Sequence, residues 1–235
     1  MLLRQSLFAV ALALFPGTYA GFSGKTCRIM PLGAPTATAT VPPSTTSSPP
    51  MATPSTWSAP QKGGTFKDPD NEGYPGFIIS QVTDKANAAM PVQRPNIVTL
   101  LVGTNDMLQN VDVGNAPARL TTLIQDVLDA PPLTLVVLST LPPNGDAATN
   151  TRINAYNAAL PAVVKSFTDA GRSVVLVDSH AVVAVGDLVD GTHPNDAAYA
   201  RLATVFYNGI QAANANGWIF DVDGPPPRRG MREGM

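Results

Sequence analysis

Pro95-Asn96-Ile97-Val98-Thr99-Leu100-Leu101-Val102-Gly103-Thr104-Asn105-Asp106 is the most telling stretch of this chain. Residues 96–102 are uncharged and mainly aliphatic, with a proline before them and a glycine after. A short apolar run bounded in this way predicts a strand buried on both faces. Such strands belong to parallel sheets covered by helices on either side. The polar Thr104-Asn105-Asp106 group then falls at the carboxyl end of that strand. In open parallel sheets, ligands bind at that end.

The flanking segments repeat the pattern. Ala116–Asp129 places Leu120, Leu123, Ile124, Val127 and Leu128 at helical spacing, and Pro131-Pro132 stops it. Thr134–Thr140 is a second apolar strand. Thr151–Ala170 is an amphipathic helix carrying Ile153, Tyr156, Leu160, Val163, Val164 and Phe167, with Gly171 as its cap. Ser173–Val177 is a third strand. Asp196–Ala213 is a closing helix with Tyr199, Leu202, Ala203, Phe206 and Ile210 on one face. Arg28–Gly33 reads as another short strand entering a glycine turn. Alternation of apolar strands and amphipathic helices predicts an α/β domain with a parallel sheet covered on both faces.

Chemistry concentrates in two polar blocks. Asp190-Gly191-Thr192-His193-Pro194-Asn195 lies just before the last helix. A carboxylate three residues before an imidazole can hold one ring nitrogen and leave the other to move a proton. Pro194 favours an extended His193, and Asn195-Asp196 can cap the helix that follows. Taken alone, the Asp-His spacing fits a simple capped turn at least as well. Asn105 offers a side-chain amide that could donate to a developing oxyanion, or it is a turn asparagine. Gly76, in Asn71-Glu72-Gly73-Tyr74-Pro75-Gly76-Phe77, could offer a backbone N–H to the same oxyanion, or it is a turn glycine.

In order and at these spacings, the blocks resemble the SGNH hydrolase superfamily, also called the GDSL esterases. The resemblance is closest to secreted acetylxylan esterases of the third carbohydrate-esterase family. Ile29-Met30-Pro31-Leu32-Gly33 resembles the start of the first block and Asp68–Phe77 the second. Gly103-Thr104-Asn105-Asp106 resembles the third and Asp190–Tyr199 the last. The likeness spans about residues 28 to 215, excluding 34 to 60. It implies a three-layer α/β/α sandwich, with the first block and adjacent helix degraded. It implies His193 as base, Asp190 as its orienter, and Gly76 and Asn105 as oxyanion donors. The expected substrate is an acetylated polysaccharide such as acetylxylan, or another ester. No cofactor and no metal are implied.

The nucleophile is the departure. The family continues its first block through Asp-Ser-Ile-Thr, whereas this chain reads Ala34-Pro35-Thr36. The serines that follow, Ser44, Ser47, Ser48, Ser55 and Ser58, lie in a Pro/Ser/Thr-rich segment (34–60) that reads as low-complexity. Ser23 precedes the strand, at its wrong end. One account is that 34–60 is translated out of frame. A shifted frame permits Gly-Asp-Thr-Val-Asp-Met-Val-Gly-Ala, an alternating strand. The other account is a real polypeptide without a nucleophile and inactive as an esterase. Two further readings, from other classes, are an inactive carbohydrate-binding relic and, on 34–60 alone, a mucin-like linker protein.

The bulk numbers set outer limits. A chain of 235 residues with 44% hydrophobic and 14% charged residues can bury a proper core. A net charge of −2, without a basic block before the last few residues, gives no nucleic-acid footprint. Residues 1–20 read as a signal peptide, with Arg4, an apolar Leu7–Phe15 and a small-residue site at Ala20, so secretion is expected. That apolar stretch is too short to span a bilayer, so no membrane partner is expected. Cys27 is the sole cysteine, is expected to be buried, and cannot pair within the chain. His180 is expected to be a structural loop residue, since two histidines and one cysteine complete no metal set. The expected organisation is a first strand in 21–33, the segment 34–60, an SGNH hydrolase-like domain over 61–218 and a disordered tail over 219–235. A monomer is expected.

Overall fold

A computed structural model describes residues 27–33, 61–62, 70–130 and 133–221. Its strands are β1 (Ile29–Gly33), β2 (Gln61–Lys62), β3 (Asp70–Gly73), β4 (Ile97–Leu101), β5 (Leu135–Ser139) and β6 (Val174–Val177). Its helices are α1 (Ile79–Gln93), α2 (Thr104–Gln109), α3 (Ala116–Asp129), α4 (Ala147–Asp169) and α5 (Asp196–Ala215). Every residue of β4 and β5 is buried, as expected for strands covered on both faces.

The sheet order is β2-β3-β1-β4-β5-β6. Strands β3, β1, β4, β5 and β6 are mutually parallel, and β2 is antiparallel at the edge. The successive crossovers β3-α1-β4, β4-α3-β5 and β5-α4-β6 all step in the same direction. Right-handed connections therefore place α1, α3 and α4 on one face, where α1 packs on α3 and α3 on α4. Helix α5 covers β5 and β6 from the other side. Its Gly209 lies so close to the sheet that a Cβ there would stand 2.5 Å from a Val177 methyl. The result is the three-layer α/β/α sandwich.

β1 pairs with β4 along its whole length, and Gly33 faces Leu101 and Gly73 in register. Gly33 has φ +133°, and a Cβ there would sit 2.1 Å from the Leu101 carbonyl oxygen. Only glycine fits this strand end. Residues 34–60, where the degraded block and helix are expected, lie outside the described residues, as do the expected signal peptide and the expected tail from 222 onward.

Two expectations shift. Cys27 is half-buried against the rim of the core, because it precedes the first strand and is not enclosed by it. Ile219 is buried and the Asn96 side-chain amide donates to the Phe220 carbonyl, so packed chain continues past 218. Among the described residues, no helix is long and apolar enough to cross a membrane.

Candidate active site

The acid–base loop is built by short-range hydrogen bonds. Leu188 and Pro194 form an isolated bridge, and the Val189 amide donates to the His193 carbonyl at 2.9 Å. This closes a tight loop with Gly191 at φ +82°. Within it the Asp190 carboxylate is a local organiser. Its Oδ1 accepts from the amides of Thr192 (3.0 Å) and His193 (2.8 Å), and its Oδ2 lies 2.7 Å from His193 Nδ1. Desolvation pushes the Asp190 carboxyl up. The His193 amide, the His193 ring and the Thr192 amide outweigh it and hold the group below the ordinary carboxylate range. With Nδ1 occupied, Nε2 is the ring nitrogen left to exchange a proton. Asn195 then caps α5, its Oδ1 accepting from the Ala198 amide at 3.0 Å.

The opposite wall rests on α2. Gly103, at φ +114°, turns the chain out of the sheet, and a Cβ there would meet the Tyr156 ring at 3.0 Å. Three side chains of α2 grip the segment between β3 and α1. Asn105 Nδ2 donates to the Phe77 carbonyl at 2.9 Å, and Gln109 Nε2 donates to the Gly76 carbonyl at 3.1 Å. Asp106 Oδ2 accepts from the Ile79 amide at 2.9 Å, satisfying one of the unpaired donors at the start of α1. Asp106 has no exposed surface, and its other oxygen pairs with Arg119 at 2.8 Å. Gly76 sits at φ +80° with open space beside its Cα.

The two walls face each other across a cleft of about 230 Å³ at the carboxyl edge of the sheet. Gly76, Thr104 and Asn105 line one side, and Asn144, Thr192 and His193 the other. Leu108, Pro142, Pro143 and Ile153 give it an apolar wall. Three of the four residues singled out from sequence, Gly76, Asn105 and His193, therefore share one cavity, and Asp190 stands behind the imidazole. One amide N–H of Asn105 is committed to Phe77; the other is available to a ligand oxygen. An imidazole and two N–H donors around a small apolar-walled cleft can move a proton and hold a developing oxyanion. Among the described residues, no serine lines the cleft.

The second histidine has a structural contact. His180 Nδ1 lies 3.0 Å from the Leu141 carbonyl oxygen, a loop-fixing contact outside the cleft. Among the described residues, no cluster of His, Cys, Asp or Glu could hold a metal ion. Sequence reasoning missed Asn144 and the anchoring role of Asp106. The signal for the first was Pro142-Pro143-Asn144-Gly145, a turn signature right after a buried strand.

Comparisons with known proteins bear on the family and the fold. The profile of the GDSL-like Lipase/Acylhydrolase family matches residues 44–201. A multidomain esterase of Ruminococcus flavefaciens is 27% identical over 183 residues, covering 69% of this chain. The chain spans 23% and 56% of the lengths of two curated relatives that it matches. A family 3 carbohydrate esterase of Clostridium thermocellum has the same fold, with a TM-score of 0.60 and 24% identity over 68% of this chain and 78% of that one. An acetyl esterase mutant with acetate ion gives a TM-score of 0.58 and 24% identity over 64% and 74% of the two chains. The profile covers most of the chain, and its match takes in both Asn105 and His193: the chain belongs to the GDSL-like Lipase/Acylhydrolase family.

Proposed function

We propose that this chain derives from a secreted serine esterase that deacetylates plant polysaccharide such as acetylxylan, and that it lacks the nucleophile in its present form. His193 is the general base, Asp190 its orienting partner, and Gly76 and Asn105 the oxyanion donors. One observation carries the reading. Groups from three distant parts of the chain, after β3, after β4 and before α5, converge on one small cleft at the carboxyl edge of the sheet.

In a complete site of this kind, a serine at the turn after Gly33 attacks the ester carbonyl and passes its proton to His193 Nε2. The carbonyl oxygen becomes an oxyanion between the Gly76 N–H and the second Asn105 N–H. The imidazolium then protonates the leaving alcohol of the sugar. Water, deprotonated by the same ring, resolves the acyl-enzyme to acid and serine. The apolar wall and small cleft suit a short acyl group. The relatives described as a family 3 carbohydrate esterase and an acetyl esterase favour acetyl.

The sequence Ala34-Pro35-Thr36 where the family has Asp-Ser favours a second reading, an inactive relic that binds acetylated sugar without turnover. One set of assays separates the two. The chain as written is expected to leave aryl acetate at the buffer rate. A variant with Ala34→Asp and Pro35→Ser is expected to hydrolyse it, and His193→Ala in that background to abolish the gain. Binding of acetylated xylo-oligosaccharide without hydrolysis in every variant supports the relic. Neither binding nor hydrolysis in any variant sinks the esterase reading. Sequencing the transcript across codons 33–61 decides whether 34–60 is translated in frame.

A further inference from the structure

Asp190 and His193 are poorly held by packing. Their side chains are 54% and 47% exposed. An exposed ion pair is held only weakly by its own attraction. What limits this loop is a set of hydrogen bonds from the β5–α4 connection. Asn144 is only 4% exposed, and its side-chain Nδ2 donates to Thr192 Oγ1 at 3.0 Å. The next residue reinforces it, since the Gly145 amide donates to the Gly191 carbonyl at 2.7 Å. Asn144 is itself fixed on both sides. Its amide donates to Asn150 Oδ1 of α4 at 3.0 Å, and its Oδ1 accepts from the Asp146 amide at 2.9 Å.

We infer that Asn144 is a positioning residue for the Asp190–His193 pair, acting through Thr192. The links are continuous. Asn144 holds the Thr192 hydroxyl, the Thr192 amide holds Asp190 Oδ1, and Asp190 Oδ2 holds His193 Nδ1. A buried amide in the β5–α4 connection thus transfers order to a half-exposed imidazole. Asn144 also lines the cleft beside His193, so the clamp lies on the substrate side of the loop. An aspartate there keeps the acceptor for Asp146 but loses the donor to Thr192, and an alanine loses both.

The assignment rests on His193 being the base of the proposed esterase, but its test does not require turnover. The chain has two histidines, so nitrogen-15 NMR resolves both rings. At a pH where the imidazoles are neutral, long-range proton–nitrogen correlation gives the tautomer ratio of each. In the native chain the His193 proton is expected mainly on Nδ1, facing Asp190. Asn144→Ala and Thr192→Val should each lower the Nδ1–H to Nε2–H ratio about fivefold, the scale of one net hydrogen bond. The double variant should fall no further, because both changes remove the same link. Thr192→Ser, which keeps the hydroxyl, should retain the native ratio. His180, tied to Leu141 at the base of the same connection, reports whether the loop stem is intact. If Asn144→Ala perturbs His180 and unfolds the connection, Thr192→Val and Thr192→Ser decide the matter. A His193 ratio unchanged in Thr192→Val overturns the assignment. A changed ratio with no hydrolysis in the serine-restored chain leaves it standing and removes only the esterase reading.

Discussion

The wall that carries Gly76 and Asn105 is anchored by a carboxylate with no exposed surface, whereas the wall that carries His193 depends on one that is more than half exposed. Both carboxylates accept backbone amides and pair with a basic group, so their local chemistry is alike. Their surroundings differ. Asp106 ties α2 to the start of α1 and to Arg119 of α3, so it belongs to the packing of three helices. Asp190 ties together only the loop that contains it. The donor wall is therefore inseparable from the fold, and the base wall can be altered with the fold left standing.

The sharpest way to break this contrast is Asp106→Ala. It leaves the Arg119 guanidinium and the Ile79 amide without their carboxylate in a buried setting. Loss of one partner of a buried pair costs about 3–5 kcal/mol, and the partial exposure of Arg119 places the expected value at the lower end. Urea unfolding measures it, and a loss below about 1 kcal/mol would show that the pair behaves like a surface one. Gly103→Ala tests the same wall by sterics. The added methyl meets the Tyr156 ring at 3.0 Å on a backbone at φ +114°. A loss of about 1–3 kcal/mol is expected, with Tyr156→Ala failing to restore it, since the backbone strain remains.

Asn105→Ala separates the two roles of one side chain. Losing the bond to the Phe77 carbonyl should cost about 1 kcal/mol of stability. In the serine-restored chain, losing an oxyanion donor should also lower hydrolysis about 10²–10³-fold. His193→Ala is the counterpart on the other wall. Hydrolysis in that background should vanish, while stability by urea unfolding stays within about 0.5 kcal/mol of the parent. If the stability losses of these two variants were equal, the contrast between the walls would be wrong.

The same division explains what could be read from the amino acids alone. β4, β5 and β6 were legible because continuous apolar runs between turn residues have few other uses. Helices α3 and α5 carry dense apolar stripes, and their expected and observed spans nearly coincide. Helix α4 starts earlier than its first apolar residue because Asp146 caps it, accepting from the Thr149 amide at 2.7 Å. Helix α1 was not legible. Its buried positions are Ile79, Val82, Ala86, Met90 and Gln93, a stripe with one alanine and one amide, and Pro91 interrupts it. Helix α2 is too short for a period to show. The motif residues His193, Asp190, Asn105 and Gly76 were visible as blocks, yet their convergence depends on β-strand register that spacing does not encode. Asp106 stood inside a quoted block, but only the fold shows that its partners are Ile79 and Arg119.

The smallest effect lies in the pH dependence of the base wall. The Asp190 pKa is lowered in the folded chain, the amide donors and the ring outweighing desolvation. A depressed folded pKa means that the ionised group stabilises the fold above its unfolded value. That contribution is lost as pH falls from the ordinary carboxylate range through the lowered one. Asp129, Asp146 and Asp187 are lowered too, so the parent chain alone cannot isolate the contribution of Asp190. The informative quantity is the stability difference between the parent and Asp190→Asn, followed by urea unfolding from neutral pH downward. It should be constant at neutral pH, remain below about 1 kcal/mol because the pair is exposed and screened, and shrink toward zero in acid. The corresponding difference for Asp106→Asn should be larger at neutral pH, since its carboxylate is fully buried against Arg119. A larger neutral-pH difference at Asp190 than at Asp106 would mean that the exposed loop, and not the buried meeting of three helices, carries the electrostatic stability of the site.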